Sequence, residues 1–176
     1  KYSGLIENYK TEDAEFILIT LGSIAGLCRE TADKLRAEGK KIGFVRLRYL
    51  RPFPIAELVE SVKNAKALGV LEKDISFGSE GTVFTNVNSA LHGAKLQVPS
   101  YNFIGGLGGR NISQSDIENI FSAIENGAER VKTYSTPMAE GLAYNYAAKQ
   151  VDDKLLEDLQ KLADEAQLTE KFEALY

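Results

Sequence analysis

The sequence predicts an α/β domain built on an open parallel sheet with helices on both faces, followed by a C-terminal helical tail. Three observations carry this. Short, nearly continuous apolar runs suit strands that are covered on both sides. Those runs, beginning near residues 16, 42, 68 and 101, alternate three times with segments of helical apolar periodicity, a spacing on the scale of a strand–helix repeat. Finally, composition shifts near Val151: residues 152–176 hold eight acids against Lys154, Lys161 and Lys171, while 1–151 carry 17 acids and 18 bases. The expected domains are therefore 1–151, the α/β unit, and 152–176, an acidic helical tail or linker.

The first strand is Phe16-Ile-Leu-Ile-Thr-Leu21. Gly22-Ser23 follows, with Ser23 as the expected N-cap of a helix carrying Ile24, Leu27, Cys28, Thr31 and Leu35. Gly39 tolerates left-handed geometry and ends that helix. Ile42–Leu50 reads as the second strand, with Arg46 and Arg48 alternating against Val45, Leu47 and Tyr49. Pro52 and Pro54 forbid helix at the junction and suit entry to the helix bearing Ile55, Leu58, Val59 and Val62.

Ala67–Leu71 is the third strand, and the turn Ser76-Phe-Gly-Ser-Glu-Gly81 leads to a helix around Val83, Val87 and Leu91. Tyr101–Ile104 is the fourth strand and runs into Gly105-Gly-Leu-Gly-Gly109. Ser113-x-x-Asp116 resembles a capping box with Asp in place of Glu or Gln. It opens a helix using Ile117, Ile120, Phe121 and Ile124, with a stop expected near Gly127 and an edge strand at 130–134. In the tail, Leu155, Leu159, Leu162 and Ala166 form one apolar stripe, which a partner or the domain surface is expected to cover.

Composition excludes several classes. With 176 residues, 44% hydrophobic and 26% charged, the chain is neither collagen-like nor disordered throughout. A single cysteine, Cys28, allows no internal disulfide and no cysteine-based metal site, which suits a reducing compartment. No apolar run approaches the ~20 residues of a membrane span, no signal-peptide pattern precedes the first strand, and a net charge of −4 offers no broad basic face to nucleic acid. A chain that does not begin with Met suits an excised domain or a processed protein.

The most unusual stretch is Gly105-Gly-Leu-Gly-Gly-Arg-Asn111. A glycine-rich turn between strand and helix can present backbone amides to an anion, with Arg110 adding charge-assisted bonds. It matches neither dinucleotide-binding nor P-loop spacing, and close packing or a domain contact accounts for the same glycines. Anion or interface contacts are thus assigned to Gly106, Gly108, Gly109 and Arg110, and to Ser79 in the turn after the third strand. Glu80 has no visible acid–base partner. His92, the only histidine, falls late in a helix beside Gly93, a position that favours a surface role over catalysis. No triad and no metal-ligand spacing can be assembled, so no catalytic residue and no metal ligand is assigned.

Taken in order, Glu12-Asp-Ala-Glu15, Leu21-Gly-Ser-Ile-Ala-Gly26, Leu47-Arg-Tyr-Leu-Arg-Pro-Phe-Pro54, Val70-Leu-Glu-Lys-Asp-Ile-Ser-Phe-Gly-Ser79 and Gly106-Leu-Gly-Gly-Arg-Asn-Ile112 are telling. Together they resemble domain II of pyruvate:ferredoxin oxidoreductase, or of the α subunit of related 2-oxoacid:ferredoxin oxidoreductases, over about residues 1–135. Asn111 departs from the Asp common in the family after Gly-Gly-Arg. The resemblance implies a fold like the transketolase C-terminal domain, with an antiparallel edge. It implies a parent enzyme that converts a 2-oxoacid and coenzyme A to acyl-CoA, CO2 and reduced ferredoxin, using thiamine diphosphate, magnesium and iron–sulfur clusters. In that family the thiamine and cluster motifs belong to other domains or subunits, and none occurs here. The implied role is a non-catalytic structural and assembly domain of a cytoplasmic oligomer, partnered by the enzyme's other domains and, for the whole enzyme, by ferredoxin. Two alternatives stay open: a phosphate- or coenzyme A-binding module, and the C-terminal domain of a transketolase or 2-oxoacid dehydrogenase.

Overall fold

The computed structural model describes residues 4–133, 135–139, 142–145 and positions 157, 160, 161, 164 and 167. Twelve elements follow in order, the strands being β1 (Ile6–Tyr9), β2 (Phe16–Leu21), β3 (Ile42–Leu47), β4 (Ala67–Glu72), β5 (Ser100–Ile104), β6 (Ser135–Ala139) and β7 (Leu142–Asn145). The helices are α1 (Ala25–Ala37), α2 (Ile55–Val62), α3 (Thr82–Gly93) and α4 (Gln114–Thr133), with a short 3-10 turn at Leu107–Gly109. The chain divides into two compact units, Lys1–Ala128 and Glu129–Tyr176. In the second unit β6 and β7 form an antiparallel pair with an irregularity between Pro137 and Ala139.

The first unit is a five-stranded sheet in the order β1-β3-β2-β4-β5. β3, β2, β4 and β5 run parallel, and β1 is the antiparallel edge. Alternation along each strand sorts side chains onto two cores. Ile17, Ile19, Val45 and Val70 join Leu58 of α2 and Val87 of α3 on one face. Leu18, Phe44 and Leu71 join Cys28 of α1 and Phe121 of α4 on the other. β2 and β4 therefore bury both faces, which is why their sequences read as unbroken apolar runs. Among the described residues no helix is long and apolar enough to cross a membrane.

The edge strand is clamped by charge. Glu7 lies directly opposite Arg46 in the β1–β3 ladder, and its carboxylate meets Arg48 at 3.0 Å, Arg46 at 3.8 Å, and Arg29 of α1. A four-residue strand with only one ladder to hold it gains most from such contacts, because its own apolar burial is slight.

Several sequence expectations are corrected here. Ser23 is not the N-cap of α1: Ile24 is, with no side-chain capping bond, because the loop after Gly22 (φ 93°) carries the chain one residue further before the helix begins. The second strand ends at Leu47 rather than Leu50. Residues 130–133 are not a strand but the last turn of α4, and Tyr134 lies outside the described residues. Gly127 does not stop that helix. A Cβ there would lie 2.8 Å from the Tyr101 ring, so the glycine serves a close approach to β5.

Gly39 does end α1, at φ 89°, with its N–H donating to the Arg36 carbonyl. The Ser113–Asp116 box also forms. Ser113 N–H donates to Asp116 Oδ2 at 2.8 Å, and Asp116 N–H donates to Ser113 Oγ at 3.2 Å. The acidic tail stripe lies outside the described residues. Within 152–176 only Glu157, Gln160, Lys161, Asp164 and Gln167 are described, all exposed, with Gln160 donating to Asp164 one turn on.

The capping box carries a pH prediction. The Ser113 backbone N–H and then its hydroxyl hold the Asp116 carboxyl below its ordinary value of 3.8. A depressed folded-state value means the cap contributes fully above pH 3.8 and is lost as pH falls through the lowered value. In melting curves across pH, the chain should exceed Asp116→Ala at neutral pH, and the two should converge in acid. A gap that persists unchanged into acid would show that the box does not depend on the carboxylate.

Candidate functional site

In an open parallel sheet the ligand-facing edge is the one at the carboxyl ends of the strands, and each loop there has its own local logic. After β4, Ser79 N–H donates to the Ser76 carbonyl and Ser76 N–H to the Glu80 carbonyl, closing a tight turn through Gly78 at φ 79°. Phe77 at its tip is fully exposed. Thr82 Oγ1 donates to Asp74 Oδ2 at 2.5 Å, fastening the turn to the start of α3.

The N-terminus of α3 aims its free amides at this edge, as anion-binding helices do. Here the chain fills that seat itself. Glu72, the buried last residue of β4, accepts from Val83 N–H at 2.7 Å and Phe84 N–H at 3.1 Å. Asn102 of β5 completes the arrangement: its amide donates to Glu72 Oε1 at 2.9 Å while its carbonyl oxygen accepts Gly81 N–H at 2.9 Å. A Cβ on Gly81 would collide with the Glu72 carboxylate, which explains the glycine. Sequence reasoning missed this cap. Its only signal was an acid closing an apolar strand ten residues before a helix start.

After β5 the chain enters the glycine-rich loop. Gly106, Gly108 and Gly109 all sit at positive φ, at 78°, 64° and 82°. Gly105 does not; a Cβ there would lie 3.3 Å from the Ile112 and Leu71 side chains. A cavity of about 630 Å³ opens beside this loop, walled by Asn102, Gly106, Leu107, Arg110, Asn111, Asp116 and Asn119 among others. Of the sequence-assigned positions, Gly106 and Arg110 line it. Gly108 and Gly109 shape the neighbouring turn without lining the cavity, and Ser79 belongs to the turn after β4. A second cavity of about 330 Å³ lies where the strand order reverses between β2 and β4, lined by Thr20, Gly22, Ser23, Lys73 and Val83.

The loop predicts a result. Valine at Gly106, Gly108 or Gly109 should each cost more than ~1 kcal/mol, because a β-branched residue disfavours left-handed backbone. Thermal melts of the three variants check it, and unchanged melting in all three would remove the conformational requirement.

His92 is exposed near the end of α3. Cys28 is fully buried, and desolvation pushes its thiol up to about 12, so it stays a protonated core side chain rather than a cluster ligand. Among the described residues no group of three or more His, Cys, Asp or Glu side chains is placed to hold a metal ion.

Comparison with known proteins agrees with this architecture. Residues 14–117, from the entry to β2 through the first turn of α4, match the family described as pyruvate:ferredoxin oxidoreductase core domain II. The chain is 42% identical over 123 residues to pyruvate synthase subunit PorA of Methanothermobacter thermautotrophicus, covering 70% of this chain and 31% of that protein. It is 41% identical over 119 residues to ketoisovalerate oxidoreductase subunit VorA of Pyrococcus furiosus, covering 68% and 30%. The chain thus spans about a third of the length of the curated relatives it matches. A solved structure of a split-gene transketolase, described as an inactive tetramer of four beta subunits, shares the fold at a TM-score of 0.52 and 20% identity, over 65% of this chain and 39% of that one. The matched span holds the whole parallel sheet and the loops at its carboxyl edge, and on that ground the chain belongs to the pyruvate:ferredoxin oxidoreductase core domain II family.

Proposed function

We propose that the chain is a non-catalytic bracing and assembly domain of a cytoplasmic, oligomeric 2-oxoacid:ferredoxin oxidoreductase acting on pyruvate. Thiamine diphosphate, magnesium and iron–sulfur clusters would be held by the enzyme's other domains or subunits. One observation carries this reading. Among the described residues the exposed large hydrophobics are Leu21, Tyr49, Ile55, Phe77 and Leu107. Leu21, Tyr49, Phe77 and Leu107 lie at or in the loops just beyond the carboxyl ends of the parallel strands, and Ile55 opens the helix that follows β3. Apolar side chains gathered along one rim mark a surface that another body covers. Arg110 and the loop through Gly106, Gly108 and Gly109 stand at this rim beside Leu107, with Ser79 beside Phe77, so in this reading they are interface contacts.

The test is assembly. The chain is co-expressed with the remainder of its parent enzyme as separate polypeptides, and the complex is assayed for pyruvate- and coenzyme A-dependent reduction of ferredoxin. The double variant Phe77→Asp, Leu107→Asp should melt like the unaltered chain yet fail to co-purify. Full assembly by that variant would refute the rim as the interface.

A further inference from the structure

The five-stranded sheet ends on β1 at one side and on β5 at the other, and only the first of these edges is guarded. An edge strand presents a row of unpaired backbone groups, which native proteins blunt with short length, charge, proline or a bulge. β1 is four residues long, carries Glu7 within it and is followed directly by Lys10 at φ 53°. β5, Ser-Tyr-Asn-Phe-Ile, has none of these devices and keeps an unbroken register. No charged residue occurs between Lys95 and Arg110. Pro99 precedes the strand, but its carbonyl accepts Leu68 N–H at 2.8 Å, so it faces β4 rather than the open side.

The ladder fixes which groups of β5 stay open. At the far end of the strand Gly105 N–H donates to the Glu72 carbonyl at 3.0 Å. With Pro99 and Gly105 both turned to β4, alternation turns the backbone of Tyr101 and Phe103 to β4 as well. Ser100, Asn102 and Ile104 therefore point their N–H and C=O groups outward, and among the described residues these backbone groups have no partner. The cavity of about 630 Å³ beside the glycine-rich loop has Asn102, Phe103 and Ile104 in its wall, so there is space against the strand. Ile104 is half-buried yet packs into neither core, and lines that cavity instead.

We propose that β5 is a pairing edge for a second copy of this chain, the two β5 strands running antiparallel about a two-fold axis at Asn102. The strand is self-complementary in that register. Asn102 meets the partner's Asn102 as a mutually hydrogen-bonded pair, and Ser100 meets the partner's Ile104 in the same way, so each open N–H finds a carbonyl. Tyr101 then stands opposite the partner's Phe103, an aromatic cross-strand pair on the face that β5 shares with Phe121 of α4. An uncharged edge meets no repulsion from its own copy, and a two-fold closes the assembly instead of extending it. The edge runs along the side of the sheet and the apolar rim across the strand ends, so this contact is separate from the one proposed for the parent enzyme's other domains.

The experiment uses the 176-residue chain. Sedimentation equilibrium from the low- to the high-micromolar range should show a reversible monomer–dimer equilibrium. Amide hydrogen exchange, followed by NMR, locates the contact. The Tyr101 and Phe103 amides are held by β4 at every concentration, while those of Ser100, Asn102 and Ile104 should slow at least about tenfold as the dimer forms. Ile104→Lys, which places a charge on the open edge, should give a folded monomer. Should that variant fail to fold, the exchange comparison on the unaltered chain decides alone. The proposal is overturned by a chain that stays monomeric, or by a dimer in which the outward amides exchange as fast as in the monomer. A dimer that survives in folded Ile104→Lys overturns it as well. None of these results bears on the rim, which co-purification with the rest of the enzyme tests by itself.

Discussion

Replacing Glu72 with leucine should cost about 3 kcal/mol and lower the melting temperature by roughly 10 °C, since it leaves several buried donors without an acceptor. The carboxylate is the cap of α3, and its removal strands the N–H groups of Val83 and Phe84 together with the Asn102 amide. Leucine leaves no cavity behind, so the effect reports chiefly the acceptors that are lost. Glu72→Gln keeps one acceptor oxygen but turns an amide nitrogen toward a donor, and should fall between the two at a cost of about 1 kcal/mol. The check is a pair of denaturant titrations. A leucine variant within experimental error of the unaltered chain would mean that α3 starts without help from β4.

Gly43→Ala should be almost as damaging, at about 2 kcal/mol, with Gly43→Val worse, because the added atoms meet a filled interior. A Cβ at this β3 position would lie 2.8 Å from the Lys10 carbonyl oxygen, 2.8 Å from Ala14 Cβ and 3.1 Å from Thr11 Cα. Two of those neighbours are backbone of the connection between β1 and β2, which cannot swing aside as a side-chain tip can. Gly26 supplies the contrast within one molecule. It lies in the first turn of α1 with nothing within 4 Å of its notional Cβ and no positive φ. Gly26→Ala should therefore leave stability unchanged or raise it by about 0.5–1 kcal/mol. If both glycines tolerate alanine equally, the β1–β2 connection does not pack as tightly as described.

What the sequence disclosed followed from locality. β2 and β4 were legible because burial on both faces writes an unbroken apolar run into a few consecutive residues. The capping box and the glycine-rich turn were legible because each is written within a few consecutive residues. β1 was not. Ile6-Glu-Asn-Tyr9 has no periodic signature, and what fixes it is Arg46 and Arg48, some forty residues away. The end of α4 was misread because Gly127 looks like a stop, while its partner, Tyr101, belongs to β5. At the candidate site the same division holds. Arg110 and Gly106 announced themselves by composition, whereas the Glu72–Asn102 pair is assembled only when β4, β5 and α3 come together.

Burial of Cys28 equips the chain with an internal clock for its own opening. The only cysteine in the sequence lies on the core-facing side of α1 with no solvent exposure. A thiol reagent can reach it only when that helix lifts from the sheet, so labelling must wait on an opening event. When reclosing outpaces labelling, the observed rate divided by that of an unfolded peptide gives the opening equilibrium directly. One chromophoric disulfide, with no engineered probe, would then measure how firmly α1 is held and how much Arg29, anchored to the edge strand through Glu7, adds to that grip.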